Sequence, residues 1–352
     1  MKKSYLILLL IFILCYMLID PVHGMEGVKN GLLLWYDRIL PALLPFSIIS
    51  YILVASDNLS FFSRILHPVI KKLIPVSPDG VYPLLAGFLF GFPLGSKIIG
   101  QLSENGQLRS SEAQILLSVC NNISPVFITG YMVHQCIGCD AYMLPAILCI
   151  YLPPLFFAAI RLRFLKGTAS DKKNEASRSQ ITFKIIDAGI MNGFETLLKL
   201  CGYIVIFSIL CKPLSLLKNS IPFVSLLFGS ILEITNGISC IAGYGFSKEM
   251  MFLLCTTCTS FGGICGIAQT SSMISDTNLS MSVYIRDKLF FSVMTFGCAL
   301  LPLSIIMITA STVTDLHLHR FPATPLWTVL PAALLLPALC CVQSVQEQAL
   351  HG

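Results

Sequence analysis

The stretch Gly87-Phe-Leu-Phe-Gly91-Phe-Pro93-Leu-Gly95-Ser-Lys97 decides the fold. It lies inside an apolar run, 81–100, whose length matches the roughly 20 residues a helix needs to cross a bilayer. A regular helix cannot continue through it. Proline removes a backbone donor and clashes with the preceding turn, and the flanking glycines favour non-helical backbone. Broken backbone at membrane depth is tolerated only where protein covers it or where it lines a cavity. The run therefore predicts a re-entrant hairpin and not a crossing.

The surrounding composition makes lipid the solvent. Of 352 residues, 55% are hydrophobic and 12% are charged, and the mean hydropathy is +0.80. Soluble domains carry about 25% charged residues. So few charges cannot cover a surface in water, which excludes soluble enzymes and nucleic-acid binders. The net charge of +5 says little about partners until it is placed along the chain. Most of the fourteen cysteines lie in apolar runs and act as small hydrophobes. The pairs Cys136/Cys139 and Cys255/Cys258 lack the second ligand pair of a zinc site, so neither metal nor cofactor is expected.

Working outward, the apolar runs are 4–19, 32–56, 81–100, 113–133, 141–160, 193–212, 221–243, 249–273, 288–310 and 325–342. The first follows Lys2 and Lys3 and reads as a signal anchor, or as a cleaved signal peptide with Val22 and Gly24 before the cut. The longest polar stretch, 161–186, holds Arg161, Arg163, Lys166, Lys172, Lys173, Arg178 and Lys184 against Asp171 and Glu175. The positive-inside rule places it, like the N-terminus, in the cytoplasm. An even number of crossings must then separate the two, yet five runs do. Making 81–100 re-entrant resolves the count. It also puts Arg64, Lys71, Lys72 and Arg109 inside and the uncharged His134–Gly138 loop outside.

The second half repeats the plan. Leu85–Gly95 lines up with Leu227–Gly237, matching Gly87 to Gly229 and Gly95 to Gly237. Short polar turns follow, Ser110–Glu112 and Ser247–Glu249, each leading into an apolar helix with a polar interruption. The interruptions are Asn121-Asn122-Ile-Ser124-Pro125 and Thr259-Ser260-Phe-Gly262-Gly263. If 221–243 is re-entrant from outside, 249–273 returns to the cytoplasm and Arg286 and Lys288 fall inside. The expectation is an all-α polytopic membrane protein of about eight transmembrane helices plus two re-entrant broken-helix hairpins, arranged as an inverted repeat. Its parts are a signal anchor or peptide (1–24), a first half (25–160), a basic cytoplasmic linker (161–186), a second half (187–310) and a C-terminal span and tail (311–352). Paired broken helices in inverted halves are a transporter signature, because they offer free backbone N–H and C=O groups to a polar solute in a low-dielectric place.

Several polar residues fall at these breaks. Glu233, in Glu233-Ile-Thr235-Asn236-Gly237, costs a few kcal/mol at membrane depth unless paired, protonated or solvated. It reads as a substrate or coupling-ion ligand, or as a cap on broken-helix amides. Lys97 reads as an anion ligand or as a side chain snorkelling to the interface. Asn121, Asn122 and Ser124 either repair the Pro125 kink or meet a ligand. Ser260, Gly262, Gly263 and Gln269 occupy the matching place in the second half. Gly91, Pro93 and Gly95 complete the candidate substrate-binding set. Arg38, and Glu195 with Lys199 as an i,i+4 pair, read as structural. His317, His319 and Arg320 read as interface residues. Zinc-protease, P-loop and nucleophile-elbow motifs are absent, no catalytic residue is expected, and a gradient or partner must supply energy.

Four strings carry a family resemblance: Gly91–Ile98, Cys120–Phe127 with Ile128, Glu233–Gly237 and Phe261-Gly-Gly-x-x-Gly-x-x-Gln269. Over roughly residues 30 to 310 the chain resembles the YlbJ (SpoVV) family of sporulation integral membrane proteins, whose members carry nucleoside-recognition (Gate) domains. The resemblance implies a multi-pass protein of the bacterial cell membrane or outer forespore membrane, acting in the mother cell and moving dipicolinic acid toward the spore. Dipicolinate is a small planar dianion, which makes Lys97 and the broken-helix N-termini candidate ligands. The partners implied are this anion and the bilayer, with no nucleic acid. A homo-oligomer, or contact with other sporulation membrane proteins, is compatible with it. The alternative reading is a scaffold for spore cortex or envelope assembly that carries nothing.

Overall fold

A computed structural model describes residues 3–56, 59–165, 182–216 and 222–313, and among them helices are the only regular elements. Helix α1 (Lys3–Ile19) bends by 117° into α2 (Pro21–Leu34). Asp20 starts α2 by accepting from the His23 amide at 3.3 Å, with proline in the first turn where its missing N–H costs nothing. A π-helical turn, Trp35–Ile39, leads into α3 (Leu40–Ala55). The expected span 32–56 thus begins eleven residues earlier, at Pro21, and Val22 and Gly24 lie within α2. The stretch with Arg64, Lys71 and Lys72, which falls between two of the apolar runs, forms α4 (Leu59–Leu73). It exposes Ile65, Val69 and Leu73, four residues apart on one face.

The expected hairpin is α5 (Val81–Phe90) and α6 (Leu94–Glu104), broken at Gly91–Pro93. Helix α7 (Ser110–Cys120) loses helical form over 121–124 and resumes into the π-helical segment Phe127–Ile137. After α8 (Met143–Arg163), the interior of the basic linker, 166–181, lies outside the described residues. The expected linker is shorter than 161–186, because α8 holds its first residues and α9 (Phe183–Leu216) its last. The second hairpin is α10 (Pro222–Leu232) and α11 (Ile234–Ala242), broken at Glu233. Then come α12 (Lys248–Phe261) and α13 (Gly263–Met273), broken at Gly262, and α14 (Met281–Val313). The expected span 325–342 and the residues His317, His319 and Arg320 lie outside the described residues. Among the described residues three helices are long and apolar enough to cross a membrane, Asp140–Arg163, Phe183–Leu216 and Lys248–Met273, and the bent pair Ile7–Ile19 with Pro21–Asp37 would make a fourth. The chain is an all-helical, multi-pass membrane protein.

Small residues bring the helices together, as expected where lipid offers no hydrophobic drive between them. Helix α9 runs antiparallel to α2 and α3 along four glycines. A Cβ on Gly27 would lie 3.1 Å from the Ile209 Cα, and one on Gly31 would lie 2.9 Å from the Val205 Cα. One on Gly193 would lie 2.8 Å from Ile48, and one on Gly189 2.9 Å from Ile52. The Trp35 indole N–H donates to the Leu197 carbonyl at 2.8 Å across the same seam. Within each hairpin the glycines matched by sequence also face each other. A Cβ on Gly95 would lie 3.2 Å from the Gly87 Cα, and one on Gly237 would lie 3.3 Å from the Gly229 carbonyl oxygen.

Two apolar cores result. The first takes both arms of the α5–α6 hairpin, α7, the C-terminal half of α8 (Phe157, Leu162) and the N-terminal half of α14 (Tyr284, Phe291). The second takes α11, α12, segment 127–137, the N-terminal half of α8 (Ala146, Ile150) and Ala299 of α14. Between them run the polar breaks.

Candidate functional site

The first tip closes against the first broken helix. Gly91 has φ of 83°, and a Cβ there would lie 2.6 Å from the Ser124 nitrogen. Glycine is required on both counts. The Phe92 amide donates to the Asn122 carbonyl at 2.6 Å. Tyr151 of α8 donates to two carbonyls freed at these breaks, Ile123 at 2.7 Å and Phe88 at 3.2 Å. Ser124 caps the resumed helix by accepting from the Phe127 amide at 3.3 Å.

At the second tip the Glu233 carboxylate caps α11. It accepts from the Thr235 amide at 3.0 Å and the Asn236 amide at 2.8 Å, and the residue is 5% exposed. Of the two sequence readings of Glu233, this geometry is that of the cap. Gly263 packs under the tip, its missing Cβ 3.4 Å from the carbonyl oxygens of Ile231 and Leu232. Gly262 and Gly263 both have positive φ, 83° and 74°, which lets α12 stop and α13 restart within one residue.

The two halves cross-brace each other at this level. The Phe92 ring lies over Gly266 of α13, where a Cβ would sit 3.5 Å from it. Tyr131, following the first break, donates to the Thr235 carbonyl at 3.0 Å. Asn121 donates to Thr270 Oγ1 at 2.6 Å and to the Tyr284 hydroxyl at 2.8 Å. Thr295 donates to Ser260 Oγ at 2.9 Å. Gln269 donates to Cys265 Sγ at 3.2 Å. The oxygens Asn121 Oδ1 and Gln269 Oε1 are buried without a partner.

The predicted residues lie at the four breaks or pack against them, with one exception. Lys97 is buried in the first turns of α6, but its ammonium donates to Ser47 Oγ on α3 at 2.9 Å. It reaches neither the tip nor the interface. Glu195 and Lys199 form the expected exposed pair, at 2.8 Å.

Sequence reading did not single out Lys288 as a site residue. It was expected on the cytoplasmic side at the start of the run 288–310, and the structure buries it to 2% exposure. Its ammonium donates to the Asn121 carbonyl at 3.0 Å and to Asn122 Oδ1 at 3.1 Å. The signal was present in the spacing: Tyr284, Lys288, Phe291, Thr295 and Ala299 recur every three or four residues and form the buried face of α14. Polar members of that face meet the first break through Tyr284 and Lys288, and the second through Thr295. The adjacent Asp287 turns elsewhere, accepting from Ser118 at 2.9 Å and from Arg286 at 3.2 Å.

Cavities of about 220 and 190 Å³ lie away from the breaks. Both meet Glu104 at the end of α6, the larger also reaching Asp276–Leu279 and the smaller Tyr51.

Comparisons with known proteins agree with the resemblance that the motifs carry. Residues 37–134, from the π-helical turn after α2 into the segment that follows the first break, match the family model described as nucleoside recognition, Gate. The chain is 23% identical over 320 residues to the sporulation integral membrane protein YlbJ of Bacillus subtilis (strain 168), covering 80% of this chain and 76% of that protein. No solved structure matches.

Proposed function

We propose, on the premise that the chain carries a Gate domain and resembles YlbJ along most of its length, that it is a membrane transporter of endospore formation. It moves dipicolinic acid, a small organic dianion, across the mother-cell-derived spore membrane. About eight crossings and two re-entrant hairpins form two inverted halves, residues 25–160 and 187–310. The N-terminus and the linker face the cytoplasm.

One observation carries the reading, the opposite course of matching helices. Helix α7 runs from the first core and its continuation enters the second; α12 starts in the second core and α13 leaves it toward Ile274 in the first. Helix α8 runs from second to first, and α14 from first to second. The α5–α6 hairpin packs in the first core, and α11 in the second. This opposite course supports a site where two broken helices and two hairpin tips meet and free backbone groups can replace the hydration of a polar solute. The site comprises Gly91, Pro93, Gly95, Asn121, Asn122, Ser124, Thr235, Asn236, Gly237, Ser260, Gly262, Gly263 and Gln269. Lys97 and Glu233 support it from behind.

Vesicles reconstituted with the full chain test this. They are expected to take up labelled pyridine-2,6-dicarboxylate down its gradient, above protein-free vesicles. Absence of uptake from either side, with correctly inserted protein, removes the proposal.

The scaffold reading gains one observation. With both Glu233 oxygens spent on amides, an intramembrane carboxylate no longer argues for transport by itself. Of seven buried side-chain oxygens without a partner among the described residues, those of Asn121 and Gln269 lie at the breaks, and their place there supports the transport reading.

A further inference from the structure

Lys288 is a fully buried lysine with no carboxylate within ion-pairing distance among the described residues. Both its acceptors are neutral, the Asn121 carbonyl and Asn122 Oδ1. The nearest aromatic face, Phe291, lies 6.0 Å from the ammonium. The one carboxylate next to it in sequence, Asp287, is committed to Ser118 and Arg286. An ammonium has three donors, so one remains unspent. Leaving a cation uncompensated in a membrane interior is expensive, and a simple packing role would be served by Met or Leu at no such cost.

We infer that Lys288 is the fixed positive charge of an anion site at the first helix break, and that a ligand carboxylate completes its coordination. The site lies on the buried face of α14 against Asn121 and Asn122. A carboxylate outcompetes a neutral carbonyl for an ammonium, because charge-assisted hydrogen bonds are shorter and about twice as strong. Arrival of an anion would thus draw Lys288 from the Asn121 carbonyl and Asn122. Asn122 also holds the first hairpin tip, through its carbonyl and the Phe92 amide. Anion binding is thereby linked to the first hairpin tip. The two orphan oxygens, Asn121 Oδ1 and Gln269 Oε1, are acceptors, which excludes the rest of the site from being a purely anionic trap and fits a ligand that carries a carboxylate together with donors or bound water.

The inference rests on the transport reading only for the identity of the anion. It assigns the charge to Lys288 in place of Lys97, whose ammonium is turned to Ser47. The test uses detergent-purified full chain and the shift of its thermal unfolding with added ligand. The ligands are pyridine-2,6-dicarboxylate, benzene-1,3-dicarboxylate and, as a neutral control, uridine. The variants are Lys288→Gln, which removes the charge, and Asn122→Asp, which neutralises it in place with an isosteric carboxylate. Lys199→Gln, an exposed cation outside the site, controls for net charge.

The expected result is stabilisation of wild type and Lys199→Gln by a dicarboxylate. In both Lys288→Gln and Asn122→Asp the apparent Kd rises by roughly tenfold to a hundredfold, the range for one lost charged hydrogen bond. If Lys288→Gln does not accumulate, Asn122→Asp alone decides, since it keeps the ammonium paired. Equal Kd in wild type and Asn122→Asp overturns the inference, as does stabilisation by uridine alone or by none of the three. Lys288-dependent binding of the benzene compound but not the pyridine one keeps the inference and removes dipicolinate as substrate. Uptake of the pyridine compound with no dependence on Lys288 does the reverse.

Discussion

The two hairpin tips make the same break in different ways. At the second, one side chain does the work: Glu233 caps its own helix, and Gly263 leaves room beneath. At the first, no local side chain caps α6, and the orphan groups are met from elsewhere. The Phe92 amide goes to the α7 break, the Phe88 carbonyl to Tyr151 of α8, and the break itself to Lys288 of α14. A tip closed by its own carboxylate keeps its shape when its surroundings move. A tip closed by three other helices reports on all of them. The first hairpin is therefore the one whose geometry answers to events at the site.

Substitutions can break or sharpen this contrast. The largest effect is expected at Gly87, where any Cβ meets the Cys120 carbonyl of the first break. Gly87→Val should cost more than about 3 kcal/mol, beyond ordinary overpacking, and abolish folded protein in the membrane fraction. The equivalent Gly229 has only Cys240 Sγ within reach, at 3.7 Å, so Gly229→Ala should accumulate normally. Equal loss at both positions would dissolve the contrast.

Tyr151→Phe comes next. It strands two break carbonyls and should destabilise by about 1–3 kcal/mol, read as a lower unfolding midpoint in detergent. Tyr131→Phe frees one carbonyl of the second hairpin and should cost about 1 kcal/mol or less. Glu233→Gln should lower stability by about 1 kcal/mol, the usual worth of an N-cap, and leave uptake of the dicarboxylate intact. Lost uptake with normal abundance and midpoint would make Glu233 a ligand and end its description as a cap. Smallest of all, Glu195→Ala removes one exposed pair and should shift the midpoint by less than about 1 kcal/mol allows.

Much of the backbone plan was legible because proline, glycine and polar runs act locally. Gly91, Pro93, Gly262 and Gly263 announce breaks that the helices respect to within a residue or two. The glycines matched between the halves also have a physical role, since Gly87 faces Gly95 across the first hairpin and Gly229 faces Gly237 across the second. Two features were not legible in apolar run lengths. Helix α4 alternates apolar and polar residues at helical spacing, so a search for uninterrupted apolar runs passes over it. Lys288 was placed on the cytoplasmic side, with Arg286, because positive charges beside span ends belong there on average. Its burial depends on Asn121 and Asn122, more than 160 residues away in sequence. No local rule could connect them. The same distance hid Lys97, whose partner Ser47 is 50 residues upstream.

The glycine seam between α2–α3 and α9 has a consequence for how the protein is made. Each partner supplies two of the four glycines, so each contributes both groove and ridge. Synthesis delivers α2 and α3 well over a hundred residues before α9 leaves the ribosome. During that interval Gly27, Gly31 and the Trp35 indole face lipid or the insertion machinery with no helix to close over them. The first half is thus an unfinished object until the second arrives. A gene split within 166–181 should yield two fragments that persist together and are degraded apart, with quality control in the membrane sensing the open seam.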